Sequence, residues 1–159
     1  MKITIIAVGK IKESYLKEGI KEYIKRLGRF CKIDIIEVPE QQAPESLSPA
    51  QEEQVKETEG ENILKKIKQG SAVIAMDVNG ISLDSVELAY KINNYAISGN
   101  SHVTFIIGGS LGLHKRVLEA ANMRLSLSRM TFPHQLTRLI LLEQIYRAFK
   151  IINGETYHK

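Results

Sequence analysis

Short apolar runs alternate with amphipathic stretches along the whole chain. Ile3–Val8 is a continuous apolar run of the kind buried in a parallel sheet, and Ser14–Leu27 then repeats its apolar positions at helical spacing. Ser14 stands where an N-cap would be. Ile33–Val38 predicts a second strand, stopped by Pro39, and Pro39–Pro49 (PEQQAPESLSP) reads as a loop with three prolines and no periodicity. Ser48, with Pro49 behind it, opens a long helix expected to reach about Lys68. Ala72–Met76 is a short strand ending in the turn Asp77–Gly80, and Ser82–Ile97 is an amphipathic helix with Ser82 at its start. Val103–Ile107 predicts a strand, His114–Asn122 a short helix, Arg124–Leu127 a further strand and Leu136–Ile152 the last helix. Helix between every pair of strands means parallel pairing, because parallel neighbours need crossovers. The pattern therefore predicts a three-layer α/β fold on a parallel sheet, with residues 1–159 as a single domain.

Composition narrows the class of protein. At 159 residues, 43% apolar and 25% charged, the chain can bury a proper core without help from metals or disulfides. The one cysteine, Cys31, has no partner and reads as a buried filler rather than a nucleophile. Met1–Val8 is followed by no cleavage site and no apolar run is long enough to span a membrane, so the expected location is cytoplasmic. Net charge is only +4, yet it is unevenly placed. Residues 1–32 carry nine basic and three acidic side chains, residues 33–62 one and nine, and residues 63–159 twelve and six. Basic patches that could meet phosphates thus flank an acidic segment.

Candidate chemistry gathers in the last third. FIIGGSLGL puts a glycine turn, Gly108–Gly112, directly after a strand, where open α/β sheets bind ligands. It is neither a Walker A loop nor a dinucleotide fingerprint, since both spacings fail. The second loop, Ser126–His134, has no period, and Pro133–His134 then opens the final helix, whose free N–H groups suit an anion. Plotted on a wheel, that helix gathers Leu139, Leu141, Leu142, Ile145, Tyr146, Ala148, Phe149 and Ile152 on one face, with Arg138 in their midst. A buried guanidinium needs a partner: a substrate carboxylate, phosphate or base carbonyl, or else a structural pair with Asp77 or Glu119. Leu136, Ile140 and Ile151 interrupt the polar face and predict a homodimer built on this helix. The tail ends Tyr157–His158–Lys159, residues able to close a site by stacking or hydrogen bonding. No cysteine pair, H-x-x-x-H helix or G-x-S-x-G elbow occurs, so neither a metal nor a hydrolase elbow is expected.

FIIGGSLGL, LSLSRMTFPHQLTRLILLEQIYRAF and the Tyr-His tail, in that order, resemble the SPOUT superfamily of knotted methyltransferases. More closely, the chain resembles the small ribosomal RNA large subunit methyltransferase H family, from the AVGK run near Met1 to the tail. The resemblance implies a C-terminal trefoil knot, against the usual rule that chains do not thread loops. It also implies S-adenosylmethionine (SAM) as donor, a homodimer, and methylation at N3 of a pseudouridine in 23S ribosomal RNA within the assembled ribosome. Carried onto this sequence, Met76, Gly108, Leu127, Ser128, Arg129, Met130, Thr131 and Phe132 would hold the cofactor. His134, Arg138, Tyr157 and His158 would face the substrate. Ser110 and Thr156 stand where the family usually has proline.

An imide N3–H must lose its proton before or during transfer. The expectation is that Arg138 stabilises charge on the base carbonyl while His134 or His158 takes the proton. Lys10, Lys12, Lys21, Lys25, Arg26 and Arg29 would grip ribosomal RNA phosphates. Two other readings are a ribosome-associated RNA-binding module without catalysis and a knotted methyltransferase acting on transfer RNA.

Overall fold

The computed structural model describes residues 1–42 and 44–159. Its elements run β1 (Lys2–Val8), α1 (Ser14–Leu27), β2 (Lys32–Val38), α2 (Pro49–Lys66), β3 (Ala72–Ser82), α3 (Ser85–Ile97), β4 (His102–Ile107), α4 (Lys115–Ala120), β5 (Met123–Ser126) and α5 (His134–Ile152). The five strands pair in parallel in the order β2-β1-β4-β3-β5. Successive side chains of a strand point to opposite faces, and here both faces are apolar. Ile3, Ile5, Ile74, Val103 and Phe105 meet α1, α3 and α5, while Ile6, Val8, Val73 and Ile106 meet α2 and α4. That gives the three layers, and α5 lies between α1 and α3 on its side. Cys31 is buried, and burial pushes its thiol up to about 11, which suits a filler and not a nucleophile.

Several element ends differ from the sequence pattern. Ser14 is the first helical residue of α1; Glu13 precedes it as N-cap and makes no side-chain cap bond. Ser48 does cap α2, accepting from Gln51 N–H at 3.2 Å, with the Gln51 side chain accepting the Ser48 N–H at 2.9 Å in return. This helix stops at Lys66 rather than Lys68. The expected turn Asp77–Gly80 lies inside β3, which continues to Ser82, so Ser82 ends a strand instead of opening a helix. The reason is pairing with β5: Met76 and Ile81 both stand opposite Leu125, with the residues between them bulged out. A Cβ on Gly80 would sit 2.7 Å from the Arg124 carbonyl, so only glycine lets the two backbones close there. The cap of α3 is therefore Asp84, whose carboxylate accepts the Glu87 N–H at 2.7 Å while Glu87 accepts the Asp84 N–H at 2.7 Å. Helix α4 is shorter than expected, with His114 as its N-cap; β5 begins and ends one residue early, and α5 begins at His134, not Leu136.

Candidate functional site

β3 and β4 send their chains to opposite faces of the sheet, β3 into α3 and β4 into α4. A crevice opens at the carboxyl ends of such strands. Here it is a cavity of about 840 Å³, walled by the bulged part of β3 (Met76–Asn79), by the residues after β4 (Gly108–Leu113) and by those after β5 (Leu127–His134, except Arg129). The glycine turn is tight: Gly112 N–H donates to the Gly109 carbonyl at 3.1 Å, and Gly112 has φ +85°. Ile107, Leu118, Leu125, Leu127 and Phe132 give it apolar walls, while Asp77, Asn79 and Arg124 bring polar groups to the rim. Among the described residues no cluster of His, Cys, Asp and Glu could hold a metal ion, and no helix is long and apolar enough to cross a membrane.

The second loop is held by its own hydroxyls. Ser126 donates to the Ser128 carbonyl at 2.9 Å, and the Ser128 hydroxyl accepts the Met130 N–H at 3.0 Å. These short-range bonds replace the missing periodicity with a defined turn. The loop delivers the N-terminus of α5 to the cavity, so that His134 and Thr137 line it. The His134 Nε2 is buried without a hydrogen-bond partner, and the Glu40 carboxylate lies 3.7 Å away, beyond hydrogen-bond reach. Burial lowers the His134 pKa; Glu40 pulls it up and Arg138 pushes it further down.

Of the cofactor residues expected from sequence, Met76, Gly108, Leu127, Ser128, Met130, Thr131 and Phe132 share this one cavity. Arg129 does not line it and is exposed. Of the substrate residues, His134 alone does. Arg138 is 3% exposed, as the wheel predicts, but it is not waiting open for a ligand. Its guanidinium donates to Glu37 at 2.6 Å and to the Gly9 carbonyl at 3.2 Å. The partner is neither Asp77 nor Glu119: α5 lies on the α1 side of the sheet, Glu119 sits on α4 beneath the other face, and β2 brings Glu37 across instead.

The tail folds back on its own α5. Tyr157 packs edge-on against Tyr146 at 5.0 Å and its hydroxyl donates to Glu143 at 3.3 Å; burial and its Tyr23 and Glu143 neighbours push its pKa up to about 12. His158 Nδ1 lies 3.1 Å from Arg147 and borders a second, smaller cavity between α3 and α5. Neither tail residue reaches the first cavity within the chain.

Sequence reasoning missed the acids around this site. Glu37 and Glu40 sit at the end of β2, and Glu59 of α2 is buried against the glycine turn, 3.2 Å from where a Gly109 Cβ would be. In the sequence all three read only as members of an acidic segment. The one available signal was Glu59 itself, which falls in line with Ile63 at i+4 on the inward face of an otherwise polar helix.

Comparison with known proteins adds a family. The family model described as "Predicted SPOUT methyltransferase" matches residues 1–158. Proteins named ribosomal RNA large subunit methyltransferase H are similar over all 159 residues and their own full length: 62% identical in Acetivibrio thermocellus, 60% in Ruminiclostridium cellulolyticum and 61% in Carboxydothermus hydrogenoformans. Among solved structures, a probable methylase family protein from Haemophilus influenzae Rd KW20 is similar in fold. Its TM-score is 0.53 at 16% identity, covering 96% of this chain and 66% of that one.

Proposed function

Because the chain belongs to the SPOUT methyltransferase family, and within it to the ribosomal RNA large subunit methyltransferase H family, we propose that it transfers a methyl group from SAM to N3 of a pseudouridine in 23S ribosomal RNA, in the assembled ribosome of the cytoplasm. The observation that carries the reading is the cavity closed by the β3 bulge and two strand-end loops, with the start of α5 also lining it. Its volume, about 840 Å³, lies in the range of nucleotide-sized ligand sites. The donor set fits SAM: apolar side chains for the faces of a base, glycine-turn backbone for its polar edge, and Asp77 for the α-ammonium of its amino-acid end. Met76, Gly108, Leu127, Ser128, Met130, Thr131 and Phe132 would hold it, with Arg129 at the mouth.

When bound, SAM supplies an electrophilic methyl group on a sulfonium. The protein's own part is to position the base, exclude water and take the N3 proton. His134 is suited to that last task, since burial and the nearby Arg138 lower its pKa, against the pull of Glu40, and so favour the neutral imidazole. Arg138 acts one helical turn behind, as fixed positive potential held by Glu37 rather than as a direct contact. Tyr157 and His158 do not line this cavity within the chain, and in this reading they serve the site of a partner subunit. A homodimer through α5 would put them there. Ile140, half-buried at the second cavity, supports that contact; Leu136 and Ile151, expected there too, are half-buried against the chain's own core.

In this reading residues 1–159 act as one domain, and the segment from Leu127 into α5 threads a loop to make a trefoil knot. The return of α5 from the edge strand β5 to a place between α1 and α3 supports that path. Ribosomal RNA would meet the exposed Lys10, Lys12, Lys21 and Lys25. Arg26 and Arg29, also expected there, already pair with Glu22 and Glu155.

The test is methylation of ribosomes from cells lacking this protein, followed by mass mapping of the RNA. Intact ribosomes plus SAM should gain one methyl on a pseudouridine of 23S RNA. Methyl transfer to transfer RNA instead would move the substrate, and no heat on titrating SAM into the protein would leave only an RNA-binding module.

A further inference from the structure

Gly9, Gln41 and Glu59 together hold one carboxylate beside His134. Gly9 follows β1 with φ +88°, and a Cβ there would lie 3.1 Å from the Glu40 Oε2, so bare backbone is what lets Glu40 lie down on this turn. The next residue is anchored from the other side: Gln41 N–H donates to the buried Glu59 at 3.0 Å. The Gly9 carbonyl in turn accepts from Arg138. Glu40 is thus placed by a glycine turn and by a buried acid on α2, and its Oε1 points at the buried, partnerless Nε2 of His134.

We infer that Glu40 is the positioning residue for His134, accepting a hydrogen bond from Nε2–H and leaving Nδ1 to take the N3 proton of the substrate base. This rests on the methyl-transfer reading above. The gap of 3.7 Å must close by a little under 1 Å, and such contacts are often long before the substrate is bound. The balance is simple. The N3–H electron pair forms the new N–CH3 bond, the methyl–sulfur pair stays on sulfur, and the proton moves to Nδ1. The imidazolium then formed has Glu40 beside it and passes its proton to water. Without Glu40 that cation would stand at the positive end of α5, near Arg138, with no counter-charge. The logic is that of any acid that fixes the tautomer of a histidine base.

Charged groups face His134 from each packed element: Glu40 after β2, Arg138 on α5 with its partner Glu37 on β2, and Glu59 on α2 behind Glu40. Among the described residues, Glu40 alone raises the His134 pKa, and its carboxylate lies 3.7 Å from the ring. The sign follows. His134 must be neutral to accept a proton, so activity rises as pH passes its pKa, and removing Glu40 moves that limb to lower pH while weakening the base.

The experiment reads the His134 ring by NMR titration in the wild type, Glu40→Gln and Glu40→Asp, beside the pH profile of methyl transfer to ribosomes. Glu40→Gln should lower the His134 titration, shift the acid limb with it, and cut kcat at least about tenfold with KM little changed, within the roughly 10²–10⁴-fold that a positioned base contributes. Glu40→Asp should recover part of both. A His134 titration unmoved in Glu40→Gln overturns the inference whatever the activity. A titration that moves while the wild type transfers no methyl group to any RNA keeps the pair but overturns the proton-acceptor role, together with the proposed function.

Discussion

At the scale of single residues, the site turns on how a buried charge is neutralised. Arg138 sits at 3% exposure with Glu37 and the Gly9 carbonyl taking its two terminal nitrogens, while its Nε is buried without a partner. Glu37 keeps 37% of its side-chain surface in water, so it can rehydrate if Arg138 is removed. Arg138→Met should therefore cost no more than about 2 kcal/mol of stability, since an apolar chain of similar volume replaces a buried ion well. Methyl transfer should fall roughly 10²–10³-fold, as when one preorganised electrostatic group is removed. Thermal melts and ribosome assays on the same preparation separate the two. Glu59 carries the opposite sign of lesson. Burial raises its pKa, and Gln41 N–H offsets that only in part. The unfolded carboxyl loses its proton first as pH rises, so stability falls from the unfolded pKa up through the raised one. Glu59→Gln keeps an acceptor for Gln41 without the charge and should be more stable than wild type at pH 7, an advantage that shrinks toward pH 4. An equal or greater advantage at pH 4 would contradict this account.

At the scale of elements, local chemistry sets where each helix begins. Asp84 and Glu87 form a reciprocal cap on α3, as Ser48 and Gln51 do on α2. Asp84→Ala should cost about 1 kcal/mol, or roughly 2–4 °C in Tm, by differential scanning calorimetry. Asp84 also borders the second cavity, between α3 and α5. Both Ser82 and Asp84 are residues able to start α3, and sequence periodicity does not choose between them. The choice falls to strand pairing: β5 extends β3 past Gly80 to Ser82, which leaves Asp84 as the first residue free to cap. The same holds for α5, where His134 begins the helix because Pro133 supplies the extended residue before it.

For the whole molecule, two surfaces carry predictions. If α5 joins two copies, Ile140→Glu should convert a dimer to a monomer by light scattering, and activity should fall with it because Tyr157 and His158 no longer meet the partner's cavity. The basic outer face of α1 carries Lys17, Lys21 and Lys25 in the open. Lys21→Glu with Lys25→Glu should weaken ribosome association and flatten its dependence on salt, by up to about one logarithmic unit of slope for each phosphate no longer neutralised. An unaltered salt slope would mean that this face is only solvated.

The alternation of apolar runs and amphipathic stretches was enough to give the layers, the parallel sheet and the inward place of Arg138, because burial on both faces of a sheet leaves a periodic record in any one chain. Motif order in the last third was enough to point to the family. What sequence alone could not decide was partnership across distance. Glu37 meets Arg138 from 101 residues away, and Glu40 comes to 3.7 Å from His134 on a loop held by the Gly9 turn and by Glu59. Such pairings have no period, since they depend on which strand lies beside which and on where a loop lands after the sheet has formed. A carboxylate that serves a site and one that merely faces water are the same letter until the tertiary structure removes the water from one of them.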